Sequence, residues 1–146
     1  MKAQERFLLA NTLFEQMISP LRKQYGITLM EYYILCFLLE YPNQNTAADI
    51  VKMRNFTKSH VSISVHSLQE KGFLIGEYQD GNRKTIRLKM TEQAMQFTKQ
   101  ARSIKDDFLQ ILFAGFDNDD MDTFRNYIYR IEENISAHLH SHTSKT

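Results

Sequence analysis

The sequence predicts a mainly α-helical chain with one small two- or three-stranded β element. Three observations predict it. Apolar residues recur at helical spacing through most of the 146 residues. The period drops to two only over 73–90. With 5 Gly and 2 Pro, the chain has too few turn formers for an all-β fold. Hydrophobic residues at 42% exclude collagen-like and disordered classes. No apolar run approaches the roughly 18 residues that a membrane span needs.

Each element has a local cause. Phe7 to about Tyr25 repeats apolar groups at helical spacing (Phe7, Phe14, Ile18), with Pro20 expected to kink the helix and Gly26 to stop it. Thr28-Leu29-Met30-Glu31 is a capping box, and the helix after it is apolar nearly all round, hence central. Tyr41-Pro42-Asn43 ends it. Thr46-Ala47-Ala48-Asp49 is a second capping box, opening a short helix through about Met53. Arg54-Asn55-Phe56 turns, and Thr57 caps a longer helix to Lys71. In that helix Val61, Val65 and Leu68 form the apolar stripe, and Lys58, Ser59, Ser62, Ile63 and His66 lie opposite. Gly72 terminates it. Phe73 to Tyr78 reads as one strand. Thr85 to Met90 reads as another, with Ile86, Leu88 and Met90 on one face. Between them Asp80-Gly81-Asn82 is a hairpin turn. Thr91 caps a long helix ending near Gly115. Asp117 caps the last, with Phe116 and Met121 placed for a hydrophobic staple. Its apolar stripe runs Met121, Phe124, Ile128, Ile131, Ile135, Leu139, and the tail from Ser141 is polar.

The formal charge of +1 hides an uneven distribution. Residues 1–50 carry a net −1, residues 51–91 a net +5 and residues 92–146 a net −3. A basic middle between neutral and acidic flanks suggests a polyanion-binding module held by arms with another task. The single cysteine, Cys36, and an N-terminus without an apolar secretory stretch point to the cytoplasm and to no membrane partner.

Enzyme chemistry finds no footing. The chain has no glycine-rich phosphate loop, nucleophile elbow, HExxH motif or clustered Cys/His set. Asp106-Asp107 and Asp119-Asp120 are adjacent pairs that point apart on a helix. His138, His140 and His142 alternate, which separates helical neighbours by about 200° and prevents convergence on one metal. No cofactor or metal is expected, and Cys36 reads as an inert thiol in an apolar helix.

A short helix crossing a longer one through a tight turn is the helix-turn-helix, whose second helix fits a DNA major groove. The hairpin that follows forms a wing whose tip carries Arg83 and Lys84. These residues resemble the MarR family of winged-helix transcription regulators. The likeness rests on Thr46-Ala47-Ala48-Asp49-Ile50-Val51, Thr57-Lys58-Ser59-His60-Val61-Ser62, Leu68-Gln69-Glu70-Lys71-Gly72-Phe73-Leu74 and the wing from Asn82 to Glu92. The family wing usually reads aspartate-arginine-arginine. Here Asn82 brings no charge, and Lys84 lacks the bidentate guanidinium fork.

The resemblance implies an N-terminal dimerisation helix (1–26), a winged helix-turn-helix DNA-binding domain (27–91), C-terminal dimerisation helices (92–140) and a flexible tail (141–146). It implies a homodimeric regulator, a repressor, on a pseudo-palindromic operator. The long apolar stripes of the terminal helices agree, being more than one protomer readily covers. Lys58, Ser59 and His60, with the cap Thr57, are expected to meet phosphates or base edges at the helix start. Ser62 and His66 are expected to read bases, and Ile63 to touch a thymine methyl. Arg83, beside Asn82, enters the minor groove, while Lys84 and Arg54 touch phosphates. Family members bind phenolic or other small anions, for which Met17, Tyr25, Tyr32, Tyr33 and Phe37 are the candidate pocket for a small aromatic or anionic effector. The alternative is a winged-helix protein–protein adaptor without sequence-specific DNA binding.

Overall fold

The structure is a computed structural model that describes residues 3–79 and 81–143, and for 3–7, 79, 82, 83 and 140–143 the backbone alone. The order of elements is α1 (Ala3–Tyr25), α2 (Leu29–Glu40), α3 (Ala47–Arg54), α4 (Lys58–Glu70), β1 (Leu74–Gln79), β2 (Asn82–Met90), α5 (Glu92–Leu112) and α6 (Asn118–Thr143). The chain divides into two compact units, Met1–Leu109 and Gln110–Thr146.

The caps form where the residue types require them. The Thr28 and Glu31 side chains, and likewise those of Thr46 and Asp49, satisfy one another's backbone amides in two complete capping boxes. Thr57 caps α4 by accepting from the His60 amide. Thr91 accepts from the Ala94 amide and donates its hydroxyl to the Gly72 carbonyl at 2.7 Å, tying the start of α5 to the turn after α4. That turn is a Schellman motif: the Phe73 amide returns to the Leu68 carbonyl and the Gly72 amide to the Gln69 carbonyl. It needs φ of +78° at residue 72, which is why glycine stands there.

The first unit is organised around α2, which packs on α4 and touches β2. Ile34, Leu35 and Phe37 of α2, Ile50 of α3, Val61 and Leu68 of α4, Phe73 and Phe97 form a continuous fully buried centre. Phe97 meets Tyr25 and Tyr32 in edge-on contacts, with ring centroids 5.4 and 6.4 Å apart.

The hairpin is antiparallel and two-stranded, pairing Leu74 with Met90, Gly76 with Leu88 and Tyr78 with Ile86, with an irregularity between Tyr78 and Gln79. The loop between α2 and α3 is bonded to the second strand near its end. The Asn45 carbonyl accepts from the Leu88 amide at 2.7 Å, and the Asn45 side-chain oxygen accepts from Arg87 at 2.8 Å.

Several expectations change in detail. Helix α1 starts at Ala3 rather than Phe7 and continues through Pro20. The first strand starts one residue later, at Leu74, with Phe73 buried in the core beside it. Ile86 shares a face with Leu88 but is 43% exposed, because the hairpin extends past the body that covers Leu88. In the second unit the Asp117 and Asp120 carboxylates each accept from the other's backbone amide at the start of α6. The Phe116 ring lies edge-on to Phe113, with centroids 5.5 Å apart.

Candidate nucleic-acid interface

Helix α4 separates its two faces as the sequence pattern requires. Val61, Val65 and Leu68 are buried, whereas Lys58, Ser59, His60, Ser62, Ile63 and His66 are all exposed. Ile63, an apolar residue in the middle of this polar face, is 67% exposed. The turn entering α4 is made by Asn55, whose φ of 53° is one that asparagine tolerates. Thr57 engages one amide of the first turn, and the others of that turn carry the positive end of the helix dipole. His66 Nε2 lies 3.4 Å from Glu70 one turn on, and both side chains are well exposed.

The basic residues of 51–91 differ in their surroundings. Several are engaged inside the molecule. Arg54 bonds Glu40 at 2.7 Å and stacks over the rings of Phe37 and Tyr41, its guanidinium carbon 5.4 and 5.7 Å from their centroids. Arg87 reaches Asn45, and Lys89 approaches Glu77 at 3.8 Å. Lys71 contacts Gly26 and Glu31. Lys52, Lys58 and Lys84 are exposed. The side chains of Asn82 and Arg83 lie outside the described residues. The exposed face of α4 therefore stands as one surface, while the Arg54 guanidinium is engaged by Glu40 and two aromatic rings.

The five residues proposed for an effector pocket differ in their exposure. Tyr32 and Phe37 are buried in the core, Met17 and Tyr25 are half-buried, and Tyr33 is exposed beside Phe56. Tyr25 accepts a hydrogen bond from Gln100 at 2.6 Å. A depression of about 420 Å³ runs along α1, lined by Leu8, Asn11, Thr12, Glu15, Gln16 and Ser19, and includes none of the five. Burial pushes the Tyr32 phenol well above its usual range, with the neighbouring Cys36 adding to the effect. Burial likewise raises the Cys36 thiol, outweighing a hydrogen bond with Tyr32 and the charge of Lys105. Among the described residues no three of His, Cys, Asp or Glu gather as a metal site, and the side chains of His140 and His142 lie outside them.

Sequence reasoning missed the partners of Lys71 and Asn45. Glu31 was legible as a capping carboxylate, but its contact with Lys71 spans 40 residues and leaves no local spacing signal. Glu31 is 1% exposed. Burial alone would raise its pKa. Hydrogen bonds from Ser67, the Thr28 amide and Lys71, together with the lysine charge, outweigh that and hold it below the ordinary carboxylate range.

Comparison with known proteins places this geometry. Residues 25–83 match the sequence model of the MarR family. No curated protein matches the chain. A putative MarR family transcriptional regulator from Listeria monocytogenes, solved with a 26mer DNA, is similar at TM-score 0.73 and 16% identity, covering 94% of this chain and 91% of that one. The S. aureus MepR–DNA complex is similar at TM-score 0.64 and 17% identity, covering 88% and 96%. Bordetella bronchiseptica BpsR, whose structure addresses regulation of DNA binding by 6-hydroxynicotinic acid, is similar at TM-score 0.67 and 12% identity, covering 90% and 93%. The matched segment holds the helix-turn-helix and the start of the wing, and the fold is shared over nearly the full length. The fold is therefore a winged helix-turn-helix shared with MarR-family structures over nearly its full length, and residues 25–83 carry the sequence pattern of that family.

Proposed function

We propose that this protein is a sequence-specific DNA-binding transcription regulator, a repressor acting as a homodimer on a pseudo-palindromic duplex in the cytoplasm. The observation that carries the reading is the outward face of α4. Lys58, Ser59, His60, Ser62, Ile63 and His66 project from the helix that the fold holds behind its capped turn. Solved relatives of this fold are DNA complexes. Polar groups at the helix start suit phosphates, and the mid-helix residues suit base edges, with Ile63 matched to a thymine methyl. Arg83 and Lys84 at the hairpin tip supply the minor-groove and phosphate contacts of the wing.

Dimerisation is supported by α6. Phe124, Tyr127, Ile128, Ile131, Ile135 and Leu139 are each between 39% and 63% exposed, a run that water does not favour. Two-fold pairing would present two α4 helices about 34–36 Å apart, one turn of duplex. Release by a small aromatic or anionic effector is supported by likeness to BpsR. Of the sequence candidates, Met17, Tyr25 and Tyr33 keep surface to offer it.

Selection of bound sites from random duplex tests this reading. An inverted repeat with half-sites one helical turn apart is expected, together with a steep loss of affinity as salt rises. Binding without sequence preference would overturn it in favour of an adaptor. Arg83→Ala is expected to weaken the selected duplex several-fold, and full retention at moderate salt would remove the wing from the interface.

A further inference from the structure

Lys71 follows α4 directly, at its C-cap, at the opposite end of the helix from Lys58. Its ammonium donates to the Gly26 carbonyl at 2.7 Å and to both oxygens of Glu31 at 2.9 Å. These acceptors use all three ammonium hydrogens, leaving none to offer a phosphate. Glu31 is buried near the start of α2, and its second task is the Thr28 amide at 2.7 Å. Gly26 closes α1 with φ of +65°. One amine therefore ties together the end of α1, the start of α2 and the end of α4.

We propose that the Lys71–Glu31–Gly26 junction is a positioning device for the recognition helix, fixing its tilt so that Ser62 and His66 meet base edges in register. The inference rests on the reading of α4 as the DNA-contacting helix. The lever is long. The 13 residues of α4 rise about 1.5 Å each, so a tilt of about 10° about the Lys71 end displaces Ser62 by about 2 Å and His66 by about 1 Å. A hydrogen bond to a base edge tolerates only a few tenths of an ångström. Phosphate contacts are more forgiving, because exposed lysines carry flexible stems. Loosening the junction therefore removes discrimination before it removes charge-driven association. Neither Glu31 nor Lys71 is a DNA contact in this scheme. Glu31 is too buried to be one, and Lys71 acts through its acceptors.

The test measures affinity for the selected duplex and for random duplex, with full-length wild type, Glu31→Gln, Lys71→Met and Lys71→Arg, well below each protein's melting point. Expected is about a tenfold loss for the selected duplex in Glu31→Gln and Lys71→Met, the size of a typical coupling between contacting groups. Affinity for random duplex is expected to change less than twofold, with the salt slope unchanged in Glu31→Gln. Lys71→Arg, which keeps donors for both acceptors, is expected to recover most of the discrimination. Circular dichroism at the assay temperature shows whether each variant is folded, and the contrast of Lys71→Met with Lys71→Arg carries the test if Glu31→Gln is not. A purely structural junction would lower the melting point and leave the ratio of the two affinities intact, which overturns the proposal. So would equal losses on both duplexes in Lys71→Met with Glu31→Gln unaffected, the mark of a direct phosphate contact. If wild type itself fails to discriminate, the DNA-binding reading falls instead, whatever the variants do.

Discussion

Three side chains set the energetic extremes at the residue scale. Phe97 is fully buried among Tyr25, Tyr32 and Phe73. Phe97→Ala is expected to cost about 3–5 kcal/mol in urea unfolding, since both transfer and cavity costs apply. Glu31 has a pKa depressed by its hydrogen bonds and by Lys71. Its contribution is therefore complete above the unfolded-chain value of about 4.3 and is lost as pH falls through the lower folded value. Urea stability of wild type should fall more than that of Glu31→Gln between pH 7 and pH 3.5. Parallel curves would show that the pair does not stabilise the fold. Cys36 has its thiol raised by burial. It should alkylate with iodoacetamide at pH 7 much more slowly than a free thiol, with unfolding in urea restoring the rate.

Elements show how far local signals reach. Every helix start was legible where a cap residue and its partner lie three positions apart, as at Thr28, Thr46, Thr57, Thr91 and Asp117. The α4 face was legible because burial of Val61, Val65 and Leu68 dictates what points outward. Long-range partners were not. Arg54 reads as a free cation in sequence, yet it is held by Glu40 and two rings. Lys71 reads as one more charge in a basic segment, yet it serves the fold. The aromatic residues nominated for a pocket carry no sequence mark separating a lining ring from a core ring, and Tyr32 and Phe37 prove to be core. At this scale Gly72→Ala is expected to cost about 1–2 kcal/mol, because the left-handed backbone at 72 penalises a Cβ. A cost near zero in thermal unfolding would mean that the turn relaxes to another conformation.

For the whole molecule, the central question is what covers α6. A helix carrying Ile128, Ile131, Ile135 and Leu139 outward is expected to self-associate. Sedimentation equilibrium should give a dimer at micromolar concentration. Ile131→Glu with Ile135→Glu should shift it towards monomer and, by separating the two reading helices, weaken the selected duplex far more than one half-site. A wild-type monomer at all concentrations would break the two-fold scheme while leaving α4 a DNA-reading surface. Charge sets the basic middle apart from the acidic flanks, and within that middle Arg54, Lys71, Arg87 and Lys89 are engaged inside the protein.

Asn45 shows what such internal bonds leave adjustable. A lone pair of strands is only marginally stable in water. Here its base is moored twice to one asparagine beside the α3 cap, through the Leu88 amide and the Arg87 side chain. The loop joining the strands contributes to neither mooring. On the proposed reading, in which the hairpin tip meets duplex, substitutions there are expected to change duplex preference without undoing either mooring.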